Sequence, residues 1–600
     1  MTLSPLDLTI LGVYLALVIG VGFVVKRRAA KGLESYFLGN RTLPWWMLAM
    51  SGSSSYFDIT GTMWIVSILV VCGYRGMWVQ WMWGFVIAAF YMAFMGKWIR
   101  RSGVMTGAEW MIARFGAGRA GELARLSYTL YAVLTLSALL GYTAVGMGKF
   151  GSQFLPLPDR LCALLIIGVT GVYVVLGGFR GLTIVEFFQT IILTVGAVMI
   201  ACLGYAAYGR GLALHPPSDW YSPWPVWRLD RAIDPSSPFH VASSDMYYLF
   251  GAVILVYVVK GTLLCFSGPE QLYDFQKFLA VRTPREASLM GMLWGVFHAV
   301  RFPMAMAVAV LGLAGAAGSS DLLALIKSDP EKVMPVVIAH SLPTGLVGFA
   351  LAALVSAFMG AFSAMINGGA SYLVRDVYQN YLRPTASDRE LIWASYGASV
   401  LLIAIGILIA QVQTSINAIF TWIMVGLGAG VLMPNVLRWY WWRMNGWGYF
   451  AATAAGMLLS LVQVVLEQTG TLSLPVYVSF PVLAIAVLIV CIAVTLRTPP
   501  TELDALMGFY RKVQPAGWWG PVHRAVAAAD PSFRREPFGR DLISLAIAVP
   551  WLAVLYVFPM YVITHRWDVV AAGGAIFAAL TVALAFTWWR SLPSAEEQPA

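Results

Sequence analysis

Long apolar runs separated by polar loops decide what this chain can fold into. A helix that crosses a bilayer needs about 20 apolar residues, and about fifteen runs in the sequence approach that length. The predicted spans are 8–25, 45–72, 77–96, 126–150, 161–177, 182–206, 246–268, 287–314, 340–367, 391–412, 416–440, 449–466, 473–496, 541–563 and 568–589. Helices satisfy their own backbone hydrogen bonds in lipid, so the sequence predicts an all-α polytopic membrane protein with about fifteen transmembrane helices.

The composition narrows the class of protein further. Hydrophobic residues make up 59% of the 600 residues and charged residues only 11%, whereas about 25% of the residues are charged in soluble domains. The net charge of +10 is spread over many short loops, which argues against nucleic acid as a partner. The five cysteines lie in apolar segments, so we expect buried side chains rather than disulfides or metal ligands.

The basic residues predict the orientation in the membrane, because cytoplasmic loops carry an excess of Lys and Arg. With the N-terminus outside, the basic segments 26–44, 97–125 and 497–540 all fall on the cytoplasmic side. The less basic loop 207–245 then falls outside. We therefore expect an integral protein of the plasma (inner) membrane, with an external N-terminus and a cytoplasmic C-terminus.

The span 45–72 contains the polar stretch S-G-S-S-S-Y-F-D-I-T-G, from Ser51 to Gly61. Irregular or polar backbone is tolerated at membrane depth only where protein shields it or where it lines a watery cavity. Asp58 is the sharpest feature, because a carboxylate in a span is costly and marks a functional site by default. The stretch predicts an unwound break across Ser54–Thr60, where transporters bind ions and solute. An intact helix with Asp58 facing a neighbouring cation is the alternative.

A second interruption is predicted at the end of the span 246–268. The sequence Ser267-Gly268-Pro269-Glu270 stops the apolar run there. Proline removes a backbone donor and glycine relaxes the chain, so a break is expected. Paired interrupted helices are the best sequence indication of a binding site near the middle of the membrane.

Several short motifs follow one another in a fixed order along the chain. They are Tyr36-Phe37-Leu38-Gly39-Asn40-Arg41 with Pro44-Trp45-Trp46, Gly177-Gly178-Phe179-Arg180-Gly181 with Glu186 and Gln189, Gln276-Lys277-Phe278-Leu279-Ala280 with Arg285-Glu286-Ala287, and Leu342-Pro343-Thr344-Gly345-Leu346 with Asn367 and Asp376-Val377-Tyr378. This series resembles the sodium/solute symporter family, kin of the sodium–glucose and sodium–proline transporters. The resemblance covers about residues 8–495 and implies a core of two inverted five-helix repeats whose first helices are discontinuous.

The resemblance and the spans together imply a division into segments. They are 1–44, an N-terminal extra helix and cytoplasmic turn; 45–206, the first repeat; 207–245, an external loop; 246–441, the second repeat; 442–496, two further helices; 497–540, a cytoplasmic insert; and 541–600, two terminal helices and a tail. The external loop is rich in Pro and Trp and is predicted to be either a lid over the entrance or a plain connector.

The resemblance also implies a sodium site. In the family, the ion is held by carbonyls of the first broken helix and by a carbonyl and two hydroxyls of the eighth core helix. The matching positions are Ser54, Phe57, Ala357, Gly360 and Ala361. Gly360 and Ala361 have no side-chain oxygen, and hard cations prefer oxygen ligands, so we expect Asp58 to be the replacement ligand. A proton carried by Asp58 and the absence of ion coupling are the alternatives.

The solute site is predicted around the same break. Gln80-Trp81-Met82 matches a Glu-Trp-Met stretch whose carboxylate binds sugar in a bacterial family member, and the Gln80 amide can still donate and accept hydrogen bonds. The other sugar ligands of that member are not matched, so its specificity is not expected here. Lys260 and Arg301 either bind a solute carboxylate or, the favoured interpretation, pair with carboxylates of the protein. The predicted solute-binding set is Tyr56, Phe57, Asp58, Gln80, Lys260, Ser267, Glu270 and His298.

Glu186 matches the family's acidic residue on the inner exit route of the ion. Arg180 lies only six residues earlier in the sequence. An ion pair between Glu186 and Arg180 at the cytoplasmic end of one helix is therefore the alternative to a role in ion exit.

These features predict a secondary active transporter, namely a sodium-coupled symporter of a small polar organic solute, sugar-like or a carboxylate, that works by alternating access. The alternatives are a proton-coupled or uncoupled transporter and a transporter-like solute sensor. An enzyme is not expected, because the sequence has no paired nucleophile and base and no metal motif. The expected partners are the solute, sodium and membrane lipid, and no protein partner is evident.

Overall fold

The computed structural model describes residues 3–29, 33–229, 239–241, 247–268, 272–316, 320–412, 416, 419 and 422–594. Every regular element in this part of the chain is a helix. The α-helices are α1 Pro5–Ala29, α2 Leu33–Leu38, α3 Trp45–Tyr56, α4 Ile59–Cys72, α5 Ile87–Phe90, α6 Gly96–Arg101, α7 Glu109–Phe115, α8 Arg119–Gly151, α9 Asp159–Arg210, α10 Phe250–Ser267, α11 Asp274–Ala280, α12 Pro284–His298, α13 Arg301–Gly315, α14 Ser320–Ser328, α15 Val333–Ser341, α16 Leu346–Ser371, α17 Asp388–Val412, α18 Gly428–Tyr440, α19 Gly446–Gln468, α20 Val476–Arg497, α21 Leu503–Val513, α22 Gly520–Ala529, α23 Phe538–Ile563 and α24 Trp567–Thr587. Short 3₁₀ or π-helical segments cover Gly39–Arg41, Gly73–Trp83, Tyr91–Met95, Ser218–Tyr221, Pro330–Lys332, Tyr372–Leu382, Trp422–Leu427 and Trp589–Ser591.

Eleven helical segments among the described residues are long and apolar enough to cross a membrane. The all-α membrane architecture is therefore confirmed, whereas the count of fifteen spans and the inverted repeats stay predictions. The four predicted spans outside the eleven lie in α1, in the interrupted segment 77–96, in the first half of α9 and in 422–440.

The longest helical run, α9, turns back on itself. A straight helix of its 52 residues would be about 78 Å long. At its start, however, Asp159 forms an ion pair with Lys332 at 3.1 Å. Just after its end, the Leu214 backbone N–H donates to the Leu313 carbonyl at 2.9 Å. Val333, next to Lys332, lies against Gly312, next to Leu313. Both ends of α9 therefore lie on one side of the molecule, as two antiparallel spans require.

The first predicted break is present and is shorter than expected. The helix α3 ends at Tyr56 and α4 begins at Ile59, so only Phe57 and Asp58 leave the helical conformation. Asp58 is the N-cap of α4, because its carboxylate accepts the first free backbone N–H groups of that helix. The Asp58 carboxylate therefore accepts hydrogen bonds from backbone N–H groups that would have no acceptor in apolar surroundings.

The second predicted break is also present. The helix α10 ends at Ser267, and Gly268 follows with a φ of 96°, a left-handed conformation that favours glycine. The short helix α11 begins at Asp274. Glu270, which was predicted to bind solute, lies outside the described residues.

The insert between α20 and α23 packs against the helix bundle. Trp519 is fully buried and its Nε1 donates to the Trp439 carbonyl at 2.9 Å. The Glu536 carboxylate accepts hydrogen bonds from Lys97 at 3.1 Å and from Arg101. Burial alone would raise the pKa of Glu536, but its hydrogen bond to Arg101 and the positive charges of Arg101 and Lys97 lower it to about 2.

The described part of the Pro- and Trp-rich loop packs on the end of α4. Trp220 is fully buried, and its Nε1 donates to the Val70 carbonyl at 3.1 Å. Asp219 forms an ion pair with the buried Arg75 at 3.0 Å. The loop is thus fixed to the helices around the first break, and its role as a lid stays a prediction.

Candidate functional site

A cavity lies against the first break. Its volume is about 50 Å³, measured as the space open to the centre of a water molecule. Its polar lining side chains include Ser55, Tyr56, Asp58, Gln80, Tyr142, Tyr273, His298 and Arg301. The fold thus brings together four of the residues predicted to bind solute. A sugar-sized ligand requires the surrounding side chains to move apart.

The Asp58 carboxylate is held on three sides. Its Oδ1 accepts the backbone N–H of Thr60 at 3.0 Å, and its Oδ2 accepts that of Gly61 at 2.8 Å. The Tyr142 hydroxyl, from α8, donates to the same Oδ2 at 2.8 Å. These bonds fix the carboxylate at the edge of the cavity. Whether it also binds a cation stays a prediction.

The side chain of Arg301 forms hydrogen bonds with the backbone of the break. Its guanidinium donates to the carbonyls of Tyr56 at 3.2 Å and Asp58 at 2.9 Å. It also donates to the Thr62 hydroxyl at 2.9 Å and lies 5.7 Å from the centre of the Phe57 ring. The break in the helix leaves carbonyls that need a donor in an apolar environment, and the arginine supplies three N–H groups in a rigid fork.

Two side chains in the cavity lining have unused hydrogen-bonding atoms. Gln80 Nε2 and His298 Nδ1 are buried and have no hydrogen-bond partner among the described residues. Buried polar atoms are nearly always paired, so each exception needs an explanation. A polar solute in the cavity would provide both missing partners.

Lys260 and Ser267, which were also predicted to bind solute, lie elsewhere in the described structure. Lys260 is buried on α10 and its Nζ donates to the Met82 carbonyl at 2.7 Å. The Ser267 hydroxyl donates to the Leu264 carbonyl, and the Ser267 carbonyl accepts the indole N–H of Trp439. Neither Lys260 nor Ser267 lines the cavity as described.

The predicted sodium ligands lie where α3 packs against α16. A Cβ atom at Gly360 would come within 2.7 Å of Ser54 Oγ, so the absence of a side chain allows the two helices to approach closely. Ser54 Oγ has no hydrogen-bond partner among the described residues. Ala357 and Ala361 are fully buried on α16. The geometry leaves one free hydroxyl at this position, and the sodium ligand set remains a prediction.

Glu186 lies in a second polar cluster, on the α11 side of α3. Ser363 donates to Glu186 Oε1 at 2.6 Å, and Ser51 donates to Oε2. Lys277 forms the ion pair at 3.0 Å. The ion pair that the structure describes for Glu186 is with Lys277 rather than with Arg180, and the role of Glu186 in ion exit stays a prediction.

Sequence analysis missed this role of Lys277, which appeared only as part of a cytoplasmic turn motif. Its Nζ also donates to Ser51 Oγ at 2.8 Å and Ser55 Oγ at 2.7 Å. A signal was available, because Ser51 and Ser55 are four residues apart and so share one face of a helix. The hydroxyl oxygens on that face and the nearby Glu186 carboxylate are acceptors, and Lys277 supplies the donor.

The sequence comparison decides the family. The family model described as the Sodium:solute symporter family matches residues 36–456, more than half of the chain. The chain belongs to this family.

Several members of the sodium:solute symporter family align with most of the chain. Sodium/glucose cotransporter 4 of Danio rerio is 24% identical over 512 residues, which are 78% of this chain and 72% of the fish protein. The sodium/glucose cotransporter of Vibrio parahaemolyticus is 24% identical over 489 residues, covering 76% and 85% of the two chains. The high-affinity proline transporter PutP of Bacillus subtilis is 23% identical over 507 residues, covering 80% and 96%.

A solved structure shares the symporter fold. The substrate-bound, outward-open structure of a Na⁺-coupled sialic acid symporter superposes with a TM-score of 0.64 at 16% identity, covering 83% of this chain and 99% of the other. The sodium:solute symporter family consists of transporters rather than enzymes. Membership confirms the predicted family, makes the chain an integral membrane protein and supports sodium as the coupling ion.

Proposed function

We propose that this protein is a secondary active transporter that couples the inward movement of sodium to the uptake of a small neutral polar solute, such as a sugar or polyol. The observation that carries the proposal is the cavity at the first break, where Gln80 and His298 have unused polar atoms. Family membership supplies the sodium coupling and the transport reaction.

The charges around the cavity favour a neutral solute over a carboxylate. The Asp58 carboxylate attracts the Arg301 guanidinium electrostatically, and the N–H groups of Arg301 already donate to two carbonyls and one hydroxyl. Its positive charge is therefore balanced within the protein. The amide of Gln80 and the ring of His298 remain as uncharged groups that can bond to solute hydroxyls.

The coupling requires no covalent chemistry. If sodium binds more tightly to the state that binds solute, each ligand raises the affinity for the other by the same factor. One positive charge moving through 100 mV of membrane potential supplies about 2.3 kcal/mol. Ser54 and Phe57 on the first broken helix, and Ala357 on α16, are the proposed sources of sodium ligands, with Asp58 adjacent.

We also propose the orientation and architecture implied by the loops. The N-terminus lies outside and the C-terminus in the cytoplasm, with inverted repeats at 45–206 and 246–441. The two helix breaks occur at corresponding positions of these repeats, which supports a binding site between them.

Uptake into proteoliposomes tests the proposal. A panel of sugars, polyols, amino acids and carboxylates is first screened for thermal stabilisation of the purified protein. The stabilising solute, in labelled form, should then accumulate above its external concentration when sodium is outside. Replacement of external sodium by choline should abolish accumulation. Equal uptake in choline would contradict sodium coupling, and accumulation driven only by a pH gradient would identify a proton-coupled transporter.

A further inference from the structure

The N-terminal helix α1 has one buried face. Asp7, Tyr14 and Val18 are each exposed by 7% or less and lie on the same side of the helix. Leu8 and Val13, away from that face, are more than half exposed. The buried face packs against α9 and α16. The helix therefore lies before residues 36–456, which match the family model, yet it contacts a helix that carries proposed sodium ligands.

Asp7 accepts hydrogen bonds from the start of α16. Its Oδ1 accepts the backbone N–H of Gly345 at 2.8 Å and that of Gly348 at 2.7 Å. The first N–H groups of a helix have no acceptor within the helix, and the partial positive charge there favours a carboxylate. Gly345, the N-cap, has no side chain that could accept them. The capping group of α16 therefore comes from another helix.

The first turn of α1 lies directly against the first turn of α16. A Cβ atom at Gly348 would come within 2.6 Å of the Asp7 Cα atom and within 2.8 Å of the Asp7 carbonyl oxygen. The Ser4 hydroxyl donates to Asp7 Oδ2 at 2.5 Å and so holds the carboxylate in place. The starts of the two helices are therefore fixed to each other.

A second contact lies two turns further along α1. The Tyr14 hydroxyl donates to Met359 Sδ at 3.6 Å and accepts a hydrogen bond from Gln189 Nε2 at 3.1 Å. Met359 directly precedes Gly360 on α16, whereas Gln189 belongs to α9. Because Asp7 contacts the start of α16 and Tyr14 contacts its middle, α1 and α16 run in the same direction. One hydroxyl thus joins α9 and α16 at the level of Gly360.

The position of α16 matters because its contact with α3 is close. A Cβ atom at Gly360 would come within 2.7 Å of Ser54 Oγ. The ligands of a bound ion must lie within about 0.2 Å of their preferred distances. A small shift of α16 along α3 would therefore separate the proposed ligand on α16, Ala357, from Ser54 and Phe57 on α3.

We propose that Asp7 and Tyr14 are positioning residues for α16, and that α1 thereby sets the affinity for sodium without contact with the ion. Asp7 fixes the start of α16, and Tyr14 fixes its middle against α9. This inference rests on the proposed sodium-coupled function, but one of its tests needs neither sodium nor solute.

Sodium titration of the purified full-length protein tests the proposal, with sodium chloride as the ligand. Choline chloride keeps the ionic strength constant, and the thermal midpoint reports binding because only the folded state binds the ion. Asp7→Ala removes the acceptor at the start of α16 and should raise the half-maximal sodium concentration about tenfold. Tyr14→Phe keeps the ring, removes one hydroxyl and should raise that concentration about threefold.

Thr9→Ala is the matched control on the same helix. Thr9 is exposed, and its hydroxyl donates to the Pro5 carbonyl within α1, so this variant should leave the half-maximal sodium concentration unchanged. A purely structural role for Asp7 and Tyr14 would lower the midpoint equally in sodium and choline, with that concentration unchanged. Such a result would overturn the proposal. If Asp7→Ala cannot be recovered as folded protein, Tyr14→Phe decides in the same way.

Amide hydrogen exchange provides the test that is independent of sodium. Asp7→Ala should speed exchange in residues 345–349 and also in residues 357–362, at the contact of α16 with α3. Tyr14→Phe should speed it in residues 357–362. Faster exchange in 345–349 alone would show that Asp7 is only a local cap and would contradict the positioning role.

The two tests separate this inference from the proposed function. If the unmutated protein shows no sodium response and no uptake in proteoliposomes, symport is contradicted, and the exchange result alone decides the role of α1. If uptake is sodium-driven and both variants bind sodium as the unmutated protein does, symport stands and the positioning role is contradicted.

Discussion

Near each helix break a basic side chain lies beside a carboxylate, but the two pairs make different contacts. Asp58 and Arg301, the pocket pair, lie at a cavity of about 50 Å³, whereas Glu186 and Lys277, the cage pair, lie at one of about 10 Å³. Arg301 bonds to two backbone carbonyls as well as a hydroxyl. Lys277 bonds only to side-chain oxygens.

The difference indicates different roles for the two cations. A guanidinium that satisfies main-chain carbonyls through a rigid fork is part of the structure, because its removal exposes the backbone break. An ammonium on a flexible stem behaves as a point charge. The pocket pair is therefore part of the backbone break beside the cavity, whereas the cage pair is a contact between side chains alone.

The largest expected effect concerns the cage pair. Glu186→Gln leaves the Lys277 ammonium buried without a counter-charge, and such a loss costs about 3–5 kcal/mol of folding free energy. Chemical unfolding in detergent should show this loss, while Glu467→Gln at an exposed position should change stability little. A stable Glu186→Gln protein would show that Lys277 is not charged beside Glu186.

Arg301→Lys and Lys277→Arg should differ in how much stability each variant loses. Arg301→Lys removes the fork that serves the carbonyls of Tyr56 and Asp58, and each lost hydrogen bond of a charged group is worth about 1.5–3 kcal/mol. We expect a loss of about 2–3 kcal/mol in stability, together with loss of solute binding. Lys277→Arg keeps the cage charge and should be less damaging. If both exchanges cost the same, the distinction between fork and point charge is wrong.

A smaller effect is expected for Gln80, whose Nε2 atom has no hydrogen-bond partner among the described residues at the cavity. Gln80→Ala should weaken solute binding about 10-fold, which corresponds to about 1.4 kcal/mol, because the Nε2 donor has no other described partner. The thermal midpoint and the sodium response should stay unchanged. Isothermal titration with the stabilising solute measures the affinity. A collapse in protein yield would instead identify Gln80 as a packing residue.

The smallest effect is expected at the insert, where a carboxylate–cation contact is partly open to solvent. Glu536 is 37% exposed, so water screens its contacts with the buried Lys97 and Arg101. Lys97 also keeps its ion pair with Asp541, and we expect a contribution of about 1 kcal/mol, as for solvent-exposed pairs. The lowered pKa of Glu536 means that the contribution is present above about pH 4.5 and is lost as the pH falls towards 2. Glu536→Gln should modestly increase proteolysis of the insert at pH 7, whereas the exposed control Glu502→Gln should not. Equal cleavage rates would show that the ion pair does not hold the insert.

The parts of the site that are local in sequence were predictable. The stretch from Ser51 to Gly61 indicated a break with Asp58 at its centre, because apolar surroundings penalise both hydroxyl-rich backbone and a carboxylate. The pairing of Glu186 was not predictable in the same way. The Lys277 partner is 91 residues away from Glu186 in sequence, whereas Arg180, the partner that the sequence suggested, is only six residues away.

The contacts of other predicted site residues depend on tertiary packing, which the sequence does not reveal. Lys260 was predicted to face solute or a carboxylate, and that stays a prediction; the fold adds that its Nζ donates to the carbonyl of Met82. Composition and spacing do not reveal which carbonyls an interrupted helix leaves without a donor. Likewise, Gly360 appeared as a missing hydroxyl, and only the fold shows that it allows α3 to approach α16.

The most direct test of the account is the solute affinity of the purified protein with and without sodium. Sodium-coupled symport requires that the ion and the solute favour the same state, so the dissociation constant should be at least about fivefold lower in sodium chloride than in choline chloride. The affinity for sodium should rise by the same factor when solute is present. Equal solute affinity in the two salts, with a folded protein in both, would contradict sodium coupling.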